Sequence, residues 1–175
     1  MADKFNKLML VGDSMIEFFD WQARFPGREV SNLGRSGESV EELRVRAAAI
    51  VENHEAPDLV LIMIGTNNVA MENFNFQGAY ADILVTFKNA YPEAVLTVNS
   101  LLPMKLNYLA PDTVARVNSS LQSLAAAAGA RYLDAWAAMV DSDGAPLADI
   151  LEDEVHLTSR GYEVWSDRLE RFLES

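Results

Sequence analysis

Leu8-Met9-Leu10-Val11-Gly12-Asp13-Ser14 is the stretch that decides the fold. Four apolar residues in a row, closed by a glycine, read as a short strand covered on both faces, as in the middle of a parallel sheet. Runs of the same kind stand at residues 59–64 and 95–98, each ending near Gly, Asn or Ser. Weaker candidates at 29–32 and 130–133 bring the strands to five. Helical patterns at 40–53, 76–90, 112–128 and 159–173 lie between or after them. Strand alternating with helix implies α/β architecture, a mostly parallel sheet with helices on both faces.

Punctuation along the chain agrees with this division. Asp112 stands where the third helix should be N-capped, Gly129 where it should end, and Thr158 or Ser159 where the last helix should start. Pro57, Pro92, Pro103 and Pro146 fall in connections, where a missing N–H does least harm. No repeat or linker interrupts the 175 residues, which read as one domain, 1–175.

Composition narrows the chemistry. There is no cysteine, which removes disulfides, zinc fingers, iron–sulfur clusters and thiol nucleophiles together, and only two histidines, His54 and His156. With 26 Asp+Glu against 14 Lys+Arg, the net charge of -12 opposes nucleic acid and anionic membrane surfaces, which call for clustered cations. The apolar run after Lys4 and Lys7 is far shorter than a signal-peptide core, and no window approaches the roughly 20 apolar residues of a membrane span. The chain as it stands therefore reads as cytoplasmic.

In an open parallel sheet, ligands meet the protein beyond the carboxyl ends of the strands. Four segments sit there or at the start of the last helix: Gly12-Asp13-Ser14-Met15, Asn32-Leu33-Gly34-Arg35-Ser36-Gly37, Gly65-Thr66-Asn67-Asn68, and Asp153-Glu154-Val155-His156. Ser14 on a strand-to-helix turn suits a nucleophile with backbone N–H groups nearby, or simply a helix cap. Asp153 and His156, three apart, can face the same way, so that a carboxylate orients an imidazole; a surface pair is the plainer reading. Gly34 offers an N–H with close approach and Asn67 a neutral amide donor, although each is also an ordinary turn residue. His54, beside Glu52 and Glu55, suits a helix C-terminus and needs no chemistry. Taken together, the four segments supply nucleophile, base, orienter and oxyanion donors.

In these blocks the sequence resembles the SGNH hydrolases, the GDSL family of esterases and lipases. Val11-Gly12-Asp13-Ser14-Met15 matches the first block with Met in place of Leu, and Asn68 stands where many members have Asp. Ser100-Leu101-Leu102-Pro103 resembles the loop after their fourth strand, and the match extends through Gly161-Tyr162 to about Trp165. The resemblance implies a flavodoxin-like three-layer α/β sandwich with a five-stranded parallel sheet. It implies a catalytic Ser14, Asp153 and His156 and an oxyanion hole made of the Ser14 and Gly34 N–H groups and the Asn67 amide. It also implies ester hydrolysis through an acyl-serine, with no metal or organic cofactor.

A small-molecule ester is the expected partner, with short acyl or acetyl groups favoured by the short connections between blocks. Lysophospholipid and acyl thioester hydrolysis are the alternatives within the family. Phe18, Phe19, Trp21, Met71, Phe74, Phe76, Met104, Leu106 and Tyr108 are the candidate lining, or else ordinary packing beneath loops. Outside catalysis, a flavodoxin-like binding module is the rival, although Asp13 places an acid where such a module would cradle an anion. A catalytically silent interaction protein is the other, and the intact Ser14, Asp153 and His156 oppose it. Oligomeric state leaves no mark in the sequence.

Overall fold

The computed structural model describes residues 5–175; Lys4, one of the two lysines weighed as part of a leader, lies outside them. Five strands form one parallel sheet: β1 (Lys7–Gly12), β2 (Glu29–Gly34), β3 (Leu59–Met63), β4 (Val95–Asn99) and β5 (Arg131–Leu133), in the order β2-β1-β3-β4-β5. The register pairs Leu10 with Asn32 on one side and with Leu61 on the other, and Gly12 with Gly34 and Met63. Leu10, Val11, Leu61 and Ile62 are wholly buried, as unbroken apolar runs require when helices cover both faces. β2 lies at the edge and is only half-buried.

Helices α1 (Ser14–Glu17) and α2 (Trp21–Arg24) connect β1 to β2, and α3 (Val40–Asn53) connects β2 to β3. After β3 come α4 (Thr66–Ala70) and α5 (Gln77–Ala90); α6 (Thr113–Ala127) follows β4, and α7 (Ser159–Leu173) ends the fold. α3 packs on α5 and α5 on α6, as right-handed crossovers on one face require. On the other face α7 meets α2. Trp165 sets its ring edge-on to Trp21 at 4.9 Å, and Arg24 bonds Asp167 and Glu170.

The four long helices fall where the periodicity puts them, within one residue at each end. α3 opens on a capping box in which the Ser39 hydroxyl accepts from Glu42 N–H and the Glu42 carboxylate accepts from Ser39 N–H. Thr158 caps α7 by accepting from Gly161 N–H, and Gly129 follows α6 at φ +65°. Asp112 departs from expectation. It holds the N-cap position of α6, but its carboxylate turns to Arg116 Nε at 3.1 Å and leaves the N–H groups uncapped. The short helices α1, α2 and α4 were not foreseen. No helix among the described residues is long and apolar enough to cross a membrane.

Trp165 anchors α7: its ring is buried and its Nε1–H donates to Asn99 Oδ1 at 2.9 Å at the end of β4. Trp165→Ala should lower the unfolding free energy by about 3–5 kcal/mol. Trp165→Phe, which keeps most of the packing but orphans the Asn99 oxygen, should cost about 1–3 kcal/mol. Urea unfolding of the two variants tests the order.

Candidate active site

Parallel pairing brings all five carboxyl ends to one edge of the sheet. The first crossover runs from β1 to β2 and the next returns past β1 to β3, so the strand order reverses at β1 and a crevice opens there. Ser14 stands at its head. Asp13, not Ser14, caps α1: its Oδ1 accepts from Met15 N–H at 3.0 Å, and this places Ser14 as the first helical residue. The Ser14 N–H then has no acceptor among the described residues.

The segment before α7 delivers the histidine. An antiparallel bridge between Leu151 and Leu157 and a bond from Glu152 N–H to the His156 carbonyl close a tight loop. Inside it a single carboxylate does two jobs. Asp153 Oδ1 accepts from Val155 N–H and His156 N–H, both at 2.7 Å, while Oδ2 lies 2.7 Å from His156 Nδ1. With that nitrogen protonated and donating to Asp153, Nε2 is free to accept, and it lies 3.3 Å from Ser14 Oγ. The backbone and ring hydrogen bonds from His156, joined by that from Val155, lower the Asp153 carboxyl to about 2. Phe18 covers the imidazole, ring centroids 5.6 Å apart, beside a cavity of about 490 Å³ that Glu152, Ser159 and Tyr162 also line. His54 ends α3 far from this edge, with Nδ1 donating to the Ile50 carbonyl.

The second and third blocks meet beside Ser14. Asn67 Nδ2 donates to the Glu38 carbonyl at 2.9 Å, which leaves one amide hydrogen for another acceptor. Asn68 is buried with both ends used: Oδ1 accepts from Val40 N–H and Nδ2 donates to Glu41 Oε2 at 2.7 Å. An aspartate there would face the Glu41 carboxylate.

Gly34 does not meet its expectation. Its N–H donates to Asn32 Oδ1 at 3.1 Å, and a Cβ on it would lie 2.2 Å from Glu17 N, so this glycine serves the packing of α1 on β2. Gly37, three residues further along, has φ +75° and an N–H with no acceptor among the described residues. The sequence pattern ends this strand at residue 32 and leaves both glycines beyond it; the structure separates them, because the strand runs on to Gly34. Gly34 ends the strand, whereas Gly37 lies in the loop beyond it, where ligands bind. Of the candidate lining, Trp21 and Phe76 are buried core and Phe19 stacks on Tyr162 at 4.7 Å, while Phe18, Met71, Phe74 and Tyr108 are exposed.

Residues 11–164 match the profile of the GDSL-like lipase/acylhydrolase family. The chain belongs to that family. It is 28% identical over 169 residues to platelet-activating factor acetylhydrolase IB subunit alpha1 of Rattus norvegicus, covering 91% of this chain and 72% of that one. Identity to subunit alpha2 of Homo sapiens is 29% over 167 residues, with the same coverage. The fold resembles a GDSL-like lipase from Bacteroides thetaiotaomicron (TM-score 0.79, 22% identity, 99% of this chain and 92% of that one). It also resembles an acetyl xylan esterase from Geobacillus stearothermophilus (TM-score 0.74, 19% identity, 96% and 94%). The family is one of esterase-type hydrolases.

Asp13 carries a distinct pH signature. Burial, only partly offset by the Met15 N–H and the nearby Thr66 hydroxyl, raises its carboxyl to about 6, and Oδ2 is left without a partner at hydrogen-bonding distance. A carboxyl raised on folding binds more protons in the native state, so stability should fall as pH rises from about 4 to 6 and then level off. Asp153 has the opposite sign, its contribution being present above about pH 4 and lost as pH drops toward 2. Asp13→Asn keeps the cap acceptor and abolishes the first slope, gaining on the order of 1–3 kcal/mol at pH 7 relative to wild type. Urea unfolding at pH 4, 5, 6 and 7 measures it.

Proposed function

We propose that the chain is one domain, residues 1–175, that hydrolyses carboxylic esters of short acyl groups, acetyl foremost, through an acyl-serine. The observation that carries this reading is the line Asp153 Oδ2, His156, Ser14 Oγ, set beside backbone N–H groups that have no acceptor of their own. His156 Nε2 takes the Ser14 proton as Oγ attacks the ester carbonyl. Asp153 holds the tautomer and stabilises the imidazolium, and His156 then protonates the departing alkoxide. The negative oxygen of the tetrahedral intermediate rests on the N–H groups of Ser14 and Gly37 and on the free Asn67 amide hydrogen, with Gly37 in the role first assigned to Gly34. Water repeats the sequence on the acyl-serine and releases the acid.

Two kinds of observation support short acyl groups. Relatives in sequence and in fold are described as an acetylhydrolase and an acetyl xylan esterase. Phe18, which covers His156, and the candidate lining residues Met71, Phe74 and Tyr108 are exposed and so do not wall a closed tunnel. Exposed apolar side chains of this kind also suit the longer acyl chain of a lysophospholipid or thioester, so chain length decides between the readings. On p-nitrophenyl esters kcat/KM should peak at two to four acyl carbons, and a maximum beyond about eight would favour the lipid reading.

A fluorophosphonate should form a covalent adduct on Ser14, and Ser14→Ala should abolish both the adduct and burst-phase release. A pure binding module takes no adduct. Asn67→Ala should lower kcat by about 10²–10³-fold with KM little changed, the usual consequence of losing one oxyanion donor.

A further inference from the structure

The loop that carries Gly37 is closed by one backbone bond of its own, Glu38 N–H to the Arg35 carbonyl at 3.2 Å, so whatever holds Glu38 bears on the direction of the Gly37 N–H. Residues 34–38 leave the edge strand β2, pass a positive φ at Gly37 and enter α3. One side chain reaches both ends of this loop. Arg46, two turns into α3, donates from its terminal guanidinium nitrogen to the Leu33 carbonyl at 3.0 Å, just before the loop. Its Nε and the same terminal nitrogen also meet the two oxygens of Glu38 at 2.6 and 2.5 Å, just after it. The Glu38 carboxylate is almost wholly buried and the Arg46 side chain only a fifth exposed. A two-point pair of this kind fixes orientation as well as distance, because guanidinium and carboxylate are both planar.

Glu38 connects the pair to the proposed chemistry twice. Its N–H donates to the Arg35 carbonyl at 3.2 Å, closing a turn whose central peptide, Ser36–Gly37, carries the Gly37 N–H, and its carbonyl accepts the Asn67 amide at 2.9 Å. Displacing Glu38 would open that turn and move the acceptor of Asn67, and so disturb both donors at once. Other bonds hold the neighbouring positions, among them Arg35 N–H to the Gly12 carbonyl at 2.9 Å. Glu17 ties Ser36 through its N–H and hydroxyl, Asn68 and Asn73 bind Glu41, and none of these touches Glu38 or Gly37.

We propose that Arg46 and Glu38 are the positioning pair of the oxyanion site: Arg46 spans the Gly37 loop from Leu33 to Glu38, and Glu38 passes that constraint to the Gly37 N–H and the Asn67 amide. This rests on the ester-hydrolase reading above. Neither residue touches substrate. Both act on the transition state by holding donors, so their loss should appear in kcat and not in ground-state binding.

The test compares wild type with Arg46→Lys, which keeps the charge but cannot fork, and Glu38→Gln, which keeps the shape but loses the charge. Active sites are titrated to completion with a fluorophosphonate, so that kcat refers only to folded sites. On p-nitrophenyl acetate each variant should lose about 10–100-fold in kcat with KM within about twofold, the scale expected of donors displaced by a fraction of an ångström. Affinity for a small alkyl boronic acid, which becomes tetrahedral on Ser14, should weaken by the same factor as kcat, while the shape of the pH profile stays that of wild type. Thermal unfolding is recorded alongside. If Arg46→Lys and Glu38→Gln lower the unfolding midpoint but keep wild-type kcat per titrated site and wild-type boronate affinity, the pair is merely structural and the proposal fails. A wild type that takes no fluorophosphonate at Ser14 overturns the hydrolase reading itself, and this inference with it.

Discussion

The strand β1 is held on both edges and covered on both faces, and the candidate site depends on that confinement. Its neighbours are β2 and β3, the strands that follow it in sequence, so the chain leaves β1 in one direction and returns past it in the other. The loops after these three strands therefore converge on the crevice above β1. Gly12, Gly34 and Met63 end level in the register, which brings Ser14, Gly37 and Asn67 to one place with no long excursion by any of them. A serine on a flexible loop would need its own restraints. Here the core supplies them.

Above the sheet the organisation is polar and local. Each loop at this edge is set by a side chain that bonds backbone. Asp153 binds two N–H groups as well as the imidazole, Asn32 binds the Ile16 carbonyl and the Gly34 N–H, Asn118 binds both polar groups of Leu101, and Arg46 binds the Leu33 carbonyl. Short loops cannot build a hydrophobic core of their own, so such bonds, made once and partly buried, are the available means of giving them a single shape. The shift of Asp153 and the opposite shift of Asp13 follow from this arrangement. One carboxylate is wrapped in donors at the surface, while the other is buried with an oxygen left over.

Legibility in the sequence followed the length and period of each element. α3 and α7 were readable to the residue because fourteen or fifteen positions of helical periodicity are bounded by Ser39 and Thr158 caps. α1, α2 and α4 were not, since four or five residues complete barely one turn and display no period. Asp112 had the right residue type for a cap, but its backbone, at φ -91° and ψ 2°, is not the extended conformation that turns a cap side chain onto the first N–H groups, and the carboxylate meets Arg116 one turn on instead. The aromatic residues near Ser14 were equally ambiguous. Trp21 and Phe76 went to the core while Phe18 and Phe74 stayed outside, a division set by short helices and the loops beside them, which display no period of their own.

By itself the sequence determined the alternation of strands and helices, the family, and the four blocks from which a site could be made, because apolar periodicity and short motifs are properties of neighbouring residues. Only the tertiary structure decided which atoms in those blocks face one another. It committed the Gly34 N–H to Asn32 and left that of Gly37 without an acceptor among the described residues, and it set His156 between Ser14 and Asp153 while leaving His54 at a helix end. The Ser14–His156 contact joins residues 142 apart and the Asn67–Glu38 bond residues 29 apart, so how the sheet and helices pack fixes them and no local pattern encodes them.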